Sequence, residues 1–149
     1  MLYRASEHNF VSSTFHQKCD NIQHTLVLAR TEYGKTIGGY TPIMWNAASS
    51  AYANDNNQSS FLFSVDLKDK YALTSSANAI FCHNGYGPTF GDGQDFYLPN
   101  GVSFGTFNFP SRYNGNDKVQ KNTDGYKAFT GSSSASCKVS EYEVYQVHF

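Results

Sequence analysis

The sequence contains few cysteines and no long apolar run. Its three cysteines, Cys19, Cys82 and Cys137, stand far apart without a CxxC pair, and an odd number cannot all pair within one chain. We therefore expect three free thiols and a reducing, cytoplasmic setting. No apolar run approaches the roughly 18 residues that a membrane span needs, and the opening residues lack the charged-then-apolar layout of a signal peptide.

Charge is also scarce, and its two signs are balanced. The chain has 11 Lys and Arg against 12 Asp and Glu, and neither sign forms a run. This composition offers no electrostatic reason for binding nucleic acid or an anionic membrane surface. Among macromolecular partners, it leaves another protein as the expected one.

Aromatic residues are abundant instead. Phe, Tyr and Trp make up 16% of the 149 residues, slightly more than the charged residues at 15%. Such a composition favours a β-rich core, and no alternation of strands with helices indicates parallel βαβ units. The sequence predicts a single domain over residues 1–149 with an α+β, mostly β fold: a two-sheet antiparallel β-sandwich flanked by short helices.

Hydrophobic spacing locates the elements. Apolar residues at helical spacing predict a short helix over residues 12–20, capped by Ser12 or Ser13 and ended by Asn21 in a left-handed conformation. The predicted strands cover residues 25–31, buried on both faces, then 36–40, a hairpin over 61–73, 79–83, 102–107 and 139–149. Residues 46–60 have the composition of a solvated loop, and no element is assigned to residues 114–136.

Trp45 and the alternating Phe61, Phe63 and Val65 are the predicted core residues. In the last strand, Tyr142 and Val144 share one face whereas the following aromatic and aliphatic residues share the other. A β-bulge or burial on both faces would explain this change of phase.

Residues 85–99, GYGPTFGDGQDFYLP, form the most unusual stretch and are predicted to be a loop that leads into a strand. The glycines suggest positive φ angles or close backbone approaches that a Cβ would block. No helix pattern follows and no lysine is present, so the stretch is not a phosphate-binding loop. The predicted structural glycines are Gly38, Gly39, Gly85, Gly87, Gly91 and Gly93.

The sequence predicts no catalytic residue, no cofactor and no metal site. Cys82 and His83 are adjacent, but neighbours on a strand point to opposite faces, so His83 cannot act as base for Cys82. Glu141 and Glu143 share one strand face, whereas a glycosidase needs two carboxylates across a cleft. The potential metal ligands lack the spacing of a zinc or calcium site: His8, His16, Cys19, His83, Asp92 and Asp95.

Six segments taken in order resemble the TLDc domain family of oxidation-resistance proteins. They are LYRAS (2–6), FHQKCD (15–20), GKTIGGYTPIMW (34–45), FLFSVD (61–66), YGPTFGDGQDFYL (86–98) and EYEVYQV (141–147). The resemblance implies an antiparallel sandwich without a known cofactor or a settled catalytic activity. It also implies a link to oxidative-stress resistance and to the V-type proton ATPase, whose cytosolic sector several members bind.

Two functions therefore compete: a protein-interaction module, and an uncharacterised enzyme or small-ligand-binding sandwich. A pocket with convergent polar groups would indicate the second, and an exposed aromatic surface the first. We expect the module, with its binding surface near the glycine stretch and the final strand. The candidate partner-binding residues are Tyr86, Phe90, Asp92, Asp95, Glu141 and Glu143.

Overall fold

The computed structural model describes residues 1–120 and 124–149, and within these it contains eleven strands and two α-helices. The helices are α1 (Ser12–Cys19) and α2 (Asp124–Thr130). The strands are β1 (Tyr3–Arg4), β2 (Thr25–Thr31), β3 (Thr36–Thr41), β4 (Ala51–Ala53), β5 (Phe61–Ser64), β6 (Asp69–Ala72), β7 (Ile80–Cys82), β8 (Tyr86–Phe90), β9 (Phe96–Pro99), β10 (Phe104–Thr106) and β11 (Ser136–Gln146).

The named strands pair antiparallel in the order β4-β7-β8-β9-β10-β11-β2-β3-β5-β6, with β1 also beside β11. The long strand β11 belongs to both halves: its first residues pair with β10, and the rest pairs with β2. A register shift between Val139 and Glu141 marks a bulge at the junction. We call β1, β11, β2, β3, β5 and β6 sheet 1, and β4, β7, β8, β9 and β10 sheet 2.

Side chains from the two sheets meet in the core. The Phe90 ring of β8 lies so close to Gly39 of β3 that a Cβ there would be 2.6 Å from the ring. The fully buried Trp45 packs between Phe90 and Phe15, with ring centroids 5.6 and 5.4 Å away. These contacts place the inner faces of the sheets against each other, and the mostly β, antiparallel fold with short helices is confirmed.

Helix α1 agrees with the predicted helix, and its buried face carries Phe15 and Cys19. Its start is capped differently from the prediction, because the side-chain oxygen of Asn100 accepts a hydrogen bond of 2.8 Å from the Ser12 amide. Asn21 has φ +63°, so the predicted left-handed end is confirmed.

Strand β5 lies where it is predicted, but its phase is wrong in the prediction. Leu62 and Ser64 are buried, Phe61 and Phe63 are only partly buried, and Val65 is 54% exposed. The reason lies in the neighbouring strand, since Phe63 pairs with Gly38 and its ring occupies the space that a side chain at Gly38 would fill. The aromatic ring therefore fits the outer face, and the smaller leucine points into the core.

Two other strands also differ from the prediction. Strand β2 is buried on one face only, because Leu26 and Leu28 keep some exposed surface while Val27 and Ala29 have almost none. In β11 the register with β2 is continuous from Glu141 to Gln146, so no bulge lies at the predicted change of phase; the bulge lies earlier, between Val139 and Glu141.

Three stretches that were predicted to be loops or left without an element contain regular structure. Residues 46–60 include β4 and the buried Asp55, whose carboxylate accepts hydrogen bonds from the Ser59 and Ser60 amides. Residues 85–99 form the β8–β9 hairpin, so the predicted loop is restricted to its turn. Residues 114–136 include α2, whose Phe129 packs on Tyr71; residues 121–123 of that stretch lie outside the described residues.

Candidate functional site

Five aromatic side chains form a continuous row on the outer face of sheet 2. We call them the aromatic row: Tyr52, Phe81, His83, Tyr86 and Tyr97. Ring centroids are 4.7 Å apart for Tyr52 and Phe81, 5.1 Å for Phe81 and Tyr86, and 5.2 Å for Tyr86 and Tyr97. The His83 ring lies 5.2 Å from Tyr86. All five side chains keep exposed surface, and Tyr52 is 46% exposed.

Strand alternation explains why these rings point outward. Ile80 and Cys82 are buried on either side of Phe81, and Phe96 and Leu98 are buried on either side of Tyr97. Since successive side chains on a strand point to opposite faces, burial of these neighbours turns Phe81 and Tyr97 to the outside. Burial among its neighbours also raises the pKa of the Tyr97 hydroxyl, which stays protonated at neutral pH.

A hydrogen-bonded pair, the buried His16 and the partly buried Asp20, supports the row from behind. His16 of α1 lies with one ring nitrogen, Nε2, 2.8 Å from the carbonyl oxygen of Tyr86 and the other, Nδ1, 2.7 Å from the Asp20 carboxylate. The second oxygen of Asp20 accepts a hydrogen bond from the Ala47 amide. The pair thereby ties α1 to the start of β8 and to the turn that precedes β4, the two strands that carry Tyr86 and Tyr52.

Asp92 lies in the β8–β9 turn at the border of the row. Its carboxylate pairs with Arg112 and accepts a hydrogen bond from Asn78, and its carbonyl oxygen lies 3.4 Å from the Tyr52 hydroxyl. The Arg112 guanidinium, and secondly the Asn78 amide, lower the pKa of the Asp92 carboxyl below its ordinary value. Asp92 remains partly exposed, so it can contact a partner that covers the row.

Asp95 and Phe90 are fully buried, which excludes them as contacts on this surface. The Asp95 carboxylate accepts hydrogen bonds from the backbone amides of Ser111, Arg112 and Tyr113. Burial raises the pKa of Asp95, and the three amide hydrogen bonds oppose that effect. Asp95 therefore fixes the segment after β10, while Phe90 belongs to the core between the sheets.

Glu141 and Glu143 lie on the outer face of sheet 1, away from the aromatic row. Glu141 accepts hydrogen bonds from the amide and hydroxyl of Ser6. Glu143 pairs with Arg4 at 2.8 Å and accepts a hydrogen bond from the Tyr145 hydroxyl. The six predicted contact residues thus divide among two outer faces and the core, instead of forming one surface.

Most of the predicted structural glycines occupy places where a Cβ would collide. A Cβ at Gly87 would overlap the Leu98 carbonyl oxygen, and Gly91 has φ +81° and lies against the Asp95 carboxylate. A Cβ at Gly38 would overlap the Val27 carbonyl oxygen and the Phe63 ring, and one at Gly39 would overlap the Phe90 ring. Gly85 faces only the His83 ring at 3.2 Å, and Gly93 faces the Ser111 hydroxyl at 2.7 Å, so these two are less constrained.

The three cysteines are free, as predicted, and the structure buries all of them. Burial raises the pKa of Cys19 to about 12 and of Cys137 to about 11, and it also raises the pKa of Cys82. Among residues 1–120 and 124–149, no group of three or more His, Cys, Asp or Glu side chains could hold a metal ion. The same part of the chain has no helix long and apolar enough to cross a membrane.

Sequence reasoning found Tyr86 but missed the rest of the aromatic row. The signal was present in the alternation of Phe81 and His83 with buried neighbours, but the partners of that strand were unknown. Tyr52 could not be found because residues 46–60 resemble a loop in composition. Only the pairing of β4 with β7 places Tyr52 opposite Phe81.

The sequence matches a known family model over nearly its whole length. The family model described as the TLDc domain matches residues 1–148 of the 149-residue chain. A search of curated proteins finds no match. Because the family model spans almost the entire sequence, the chain belongs to the TLDc domain family.

Proposed function

We propose that this chain is a non-catalytic protein-interaction module whose partner docks on the aromatic row. The observation that carries the proposal is the unbroken contact of five partly exposed aromatic rings across β4, β7, β8, β9 and the turn between β7 and β8. Aromatic residues are enriched at protein interfaces and often dominate their binding energy.

The rings of the aromatic row are also held in place by their neighbours in the free protein. Each ring is held by at least one neighbouring ring, and the Tyr86 backbone is held by His16 from behind. Side chains already ordered in the free protein lose little conformational entropy when a partner covers them. The row therefore offers apolar area at low entropic cost.

Family membership supports the choice of partner. We propose that the partner is the V-type proton ATPase, bound through its cytosolic sector, and that the chain acts in the cytoplasm. We further propose that it contributes to oxidative-stress resistance through this interaction. The buried thiols support an indirect role, because a peroxide-scavenging cysteine is an exposed thiolate and these cysteines have raised pKa values.

The proposal is tested by binding of the purified cytosolic sector to variants of the row. Tyr52→Ala combined with Tyr86→Ala is expected to weaken binding more than about tenfold, the scale of a lost interface hot spot. The matched control is Tyr33→Ala, which removes an exposed tyrosine elsewhere on the surface. Both proteins must show the thermal unfolding of the wild type within the small shift expected for surface residues.

Full binding by the folded double variant would contradict the role of the row. Equal loss in the control variant would show that the effect is not specific to this surface. A second pair, Asp92→Lys and Glu141→Lys, is best measured as separate single variants because these residues lie on different faces. Only Asp92→Lys, at the border of the row, is expected to reduce binding.

A further inference from the structure

The outer face of sheet 1 carries two ordered rows of side chains across five strands. The strand registers place one residue from each of β11, β2, β3, β5 and β6 in line. The first row is Glu143, Leu28, Gly38, Phe63 and Lys70. The second row is Tyr145, Leu26, Tyr40, Phe61 and Ala72.

The middle of this face is apolar. The Tyr40 and Phe61 rings stack with centroids 5.1 Å apart, and Phe63 lies 6.3 Å from Phe61. Leu26, Leu28, Phe61 and Phe63 each keep exposed surface. Two sheets that pack face to face interdigitate side chains of this kind over a distance of about 10 Å.

The two ends of the first row carry opposite charges. Glu143 stands at the β11 end, where Arg4 holds one of its oxygens. Lys70 stands at the β6 end, exposed, with its Nζ 4.5 Å from the centre of the Phe61 ring. Strand β3 lies midway, with two strands on each side at a spacing of about 4.8 Å.

We propose that this face binds a second copy of the same chain about a two-fold axis that runs along β3. Such an axis exchanges β11 with β6 and β2 with β5. It places Glu143 against Lys70 of the second copy, and Leu28 against Phe63 of the second copy. In the second row, the large Tyr145 meets the small Ala72.

Charge complementarity identifies the occupant. Arg4 at the β11 end has three carboxylates around it, Glu7, Glu141 and Glu143, so that end keeps a net negative charge. It meets the Lys70 end only after this exchange, and a two-fold interface requires that kind of self-complementary surface.

Under the same operation the ends of the second row match in size, Tyr145 against Ala72. In its middle, Leu26 meets Phe61 of the second copy and Tyr40 meets its own copy. The inference concerns the face opposite the aromatic row and does not rest on the proposed function.

Sedimentation velocity of the full chain over a micromolar to millimolar series tests the proposal. The wild type is expected to move from the monomer mass of 16.6 kDa toward twice that mass as concentration rises. Leu28→Lys puts a charge into the apolar middle, where it would face Phe63 of the second copy, and is expected to weaken self-association more than about tenfold. Val102→Lys, at another exposed apolar position outside the two rows, is the matched control and is expected to behave as the wild type.

A charge-exchange experiment makes the test specific to the geometry. Glu143→Lys and Lys70→Glu should each weaken self-association by about tenfold, because each places like charges opposite each other. An equimolar mixture of the two variants should dimerise again, because every facing pair is then of opposite sign. This recovery cannot arise if one variant merely unfolds, and circular dichroism of each variant confirms its fold.

Two outcomes would overturn the proposal. One is a wild type that stays monomeric throughout the concentration series, which would mean that something other than a second copy covers this face. The other is self-association that persists in Leu28→Lys or that mixing the exchanged variants fails to restore. Loss of self-association in Leu28→Lys with unchanged binding of the cytosolic sector would separate this inference from the proposed function.

Discussion

The outer faces of the two sheets are both rich in partly exposed aromatic side chains, yet they differ in how charge is arranged around those side chains. On sheet 2 the rings contact one another in a row, and the neighbouring carboxylate of Asp92 is already paired with Arg112. On sheet 1 the apolar middle lies between an acidic end, where Glu143 is paired with Arg4, and Lys70 at the other end. A face of the first kind suits a different protein, whereas a face with opposite charges at its ends suits a copy of itself.

The comparison depends first on which side chains of β5 point outward. Leu62→Ala, on the inner side, is expected to lower the free energy of unfolding by about 2–5 kcal/mol, because it leaves a cavity between the sheets. Phe63→Ala should cost less than half as much, since that ring is partly exposed already. Urea unfolding of both variants measures this, and an equal or larger loss in Phe63→Ala would reverse the assignment of the two faces.

The same strand shows how far the sequence could predict the fold. Alternation identified β5 correctly, but period two does not say which of its two faces is buried. The phase depends on Gly38 and Gly39 in the neighbouring strand, because one leaves space for Phe63 outside and the other for Phe90 inside. That information comes from pairing, which a single strand pattern does not contain.

The same limit applies to the candidate site, because strand pairing decides which of its side chains are exposed. Tyr86 and Asp92 were predicted because a glycine-rich loop exposes its backbone and the side chains beside it, and both keep exposed surface. Phe90 and Asp95 belong to the same stretch, and only the contacts of Phe90 with Gly39 and of Asp95 with residues 111–113 reveal their burial. Tyr52 and Tyr97 join the row through strand pairing.

In sheet 2, strands β8 and β9 approach each other closely at Gly87. Gly87→Ala should destabilise the protein by about 1–3 kcal/mol, because the new Cβ would overlap the Leu98 carbonyl and push β8 from β9. Gly85→Ala, in the same segment, meets only a side-chain ring and serves as the control. Thermal unfolding that ranks Gly85→Ala as the more harmful change would show that β8 and β9 approach each other less closely.

The third prediction concerns the interior between the two faces, where the thiols lie. Because burial raises the pKa values of Cys19 and Cys137 to about 12 and 11, almost no thiolate forms at pH 8 in the folded protein. A disulfide reagent should therefore react slowly with the native chain and with three thiols after denaturation. Rapid reaction of one thiol in the native protein would assign redox chemistry to the core and weaken the view that function lies on the faces.

The smallest expected effect concerns Asp92 at the border of the row. Its pKa is lowered in the folded state, so its pairing with Arg112 stabilises the protein above the unfolded pKa of about 4 and is lost as pH falls through the folded pKa. Wild type should therefore melt slightly above Asp92→Asn at pH 7, and this difference should vanish in acid. Asp117→Asn, which removes an exposed carboxyl, is the control. A difference that grows in acid would contradict the assigned sign.

Site-specific photo-crosslinking to the purified cytosolic sector of the V-type proton ATPase tests the central claim most directly. A photoreactive phenylalanine replaces Phe81 of the aromatic row in one protein and Phe61 of the sheet 1 face in the other, both partly exposed positions. We predict crosslinks from position 81 to the cytosolic sector, and from position 61 to a second copy of the chain. Crosslinks to the cytosolic sector from position 61 with none from position 81 would contradict the assignment of the partner to the aromatic row.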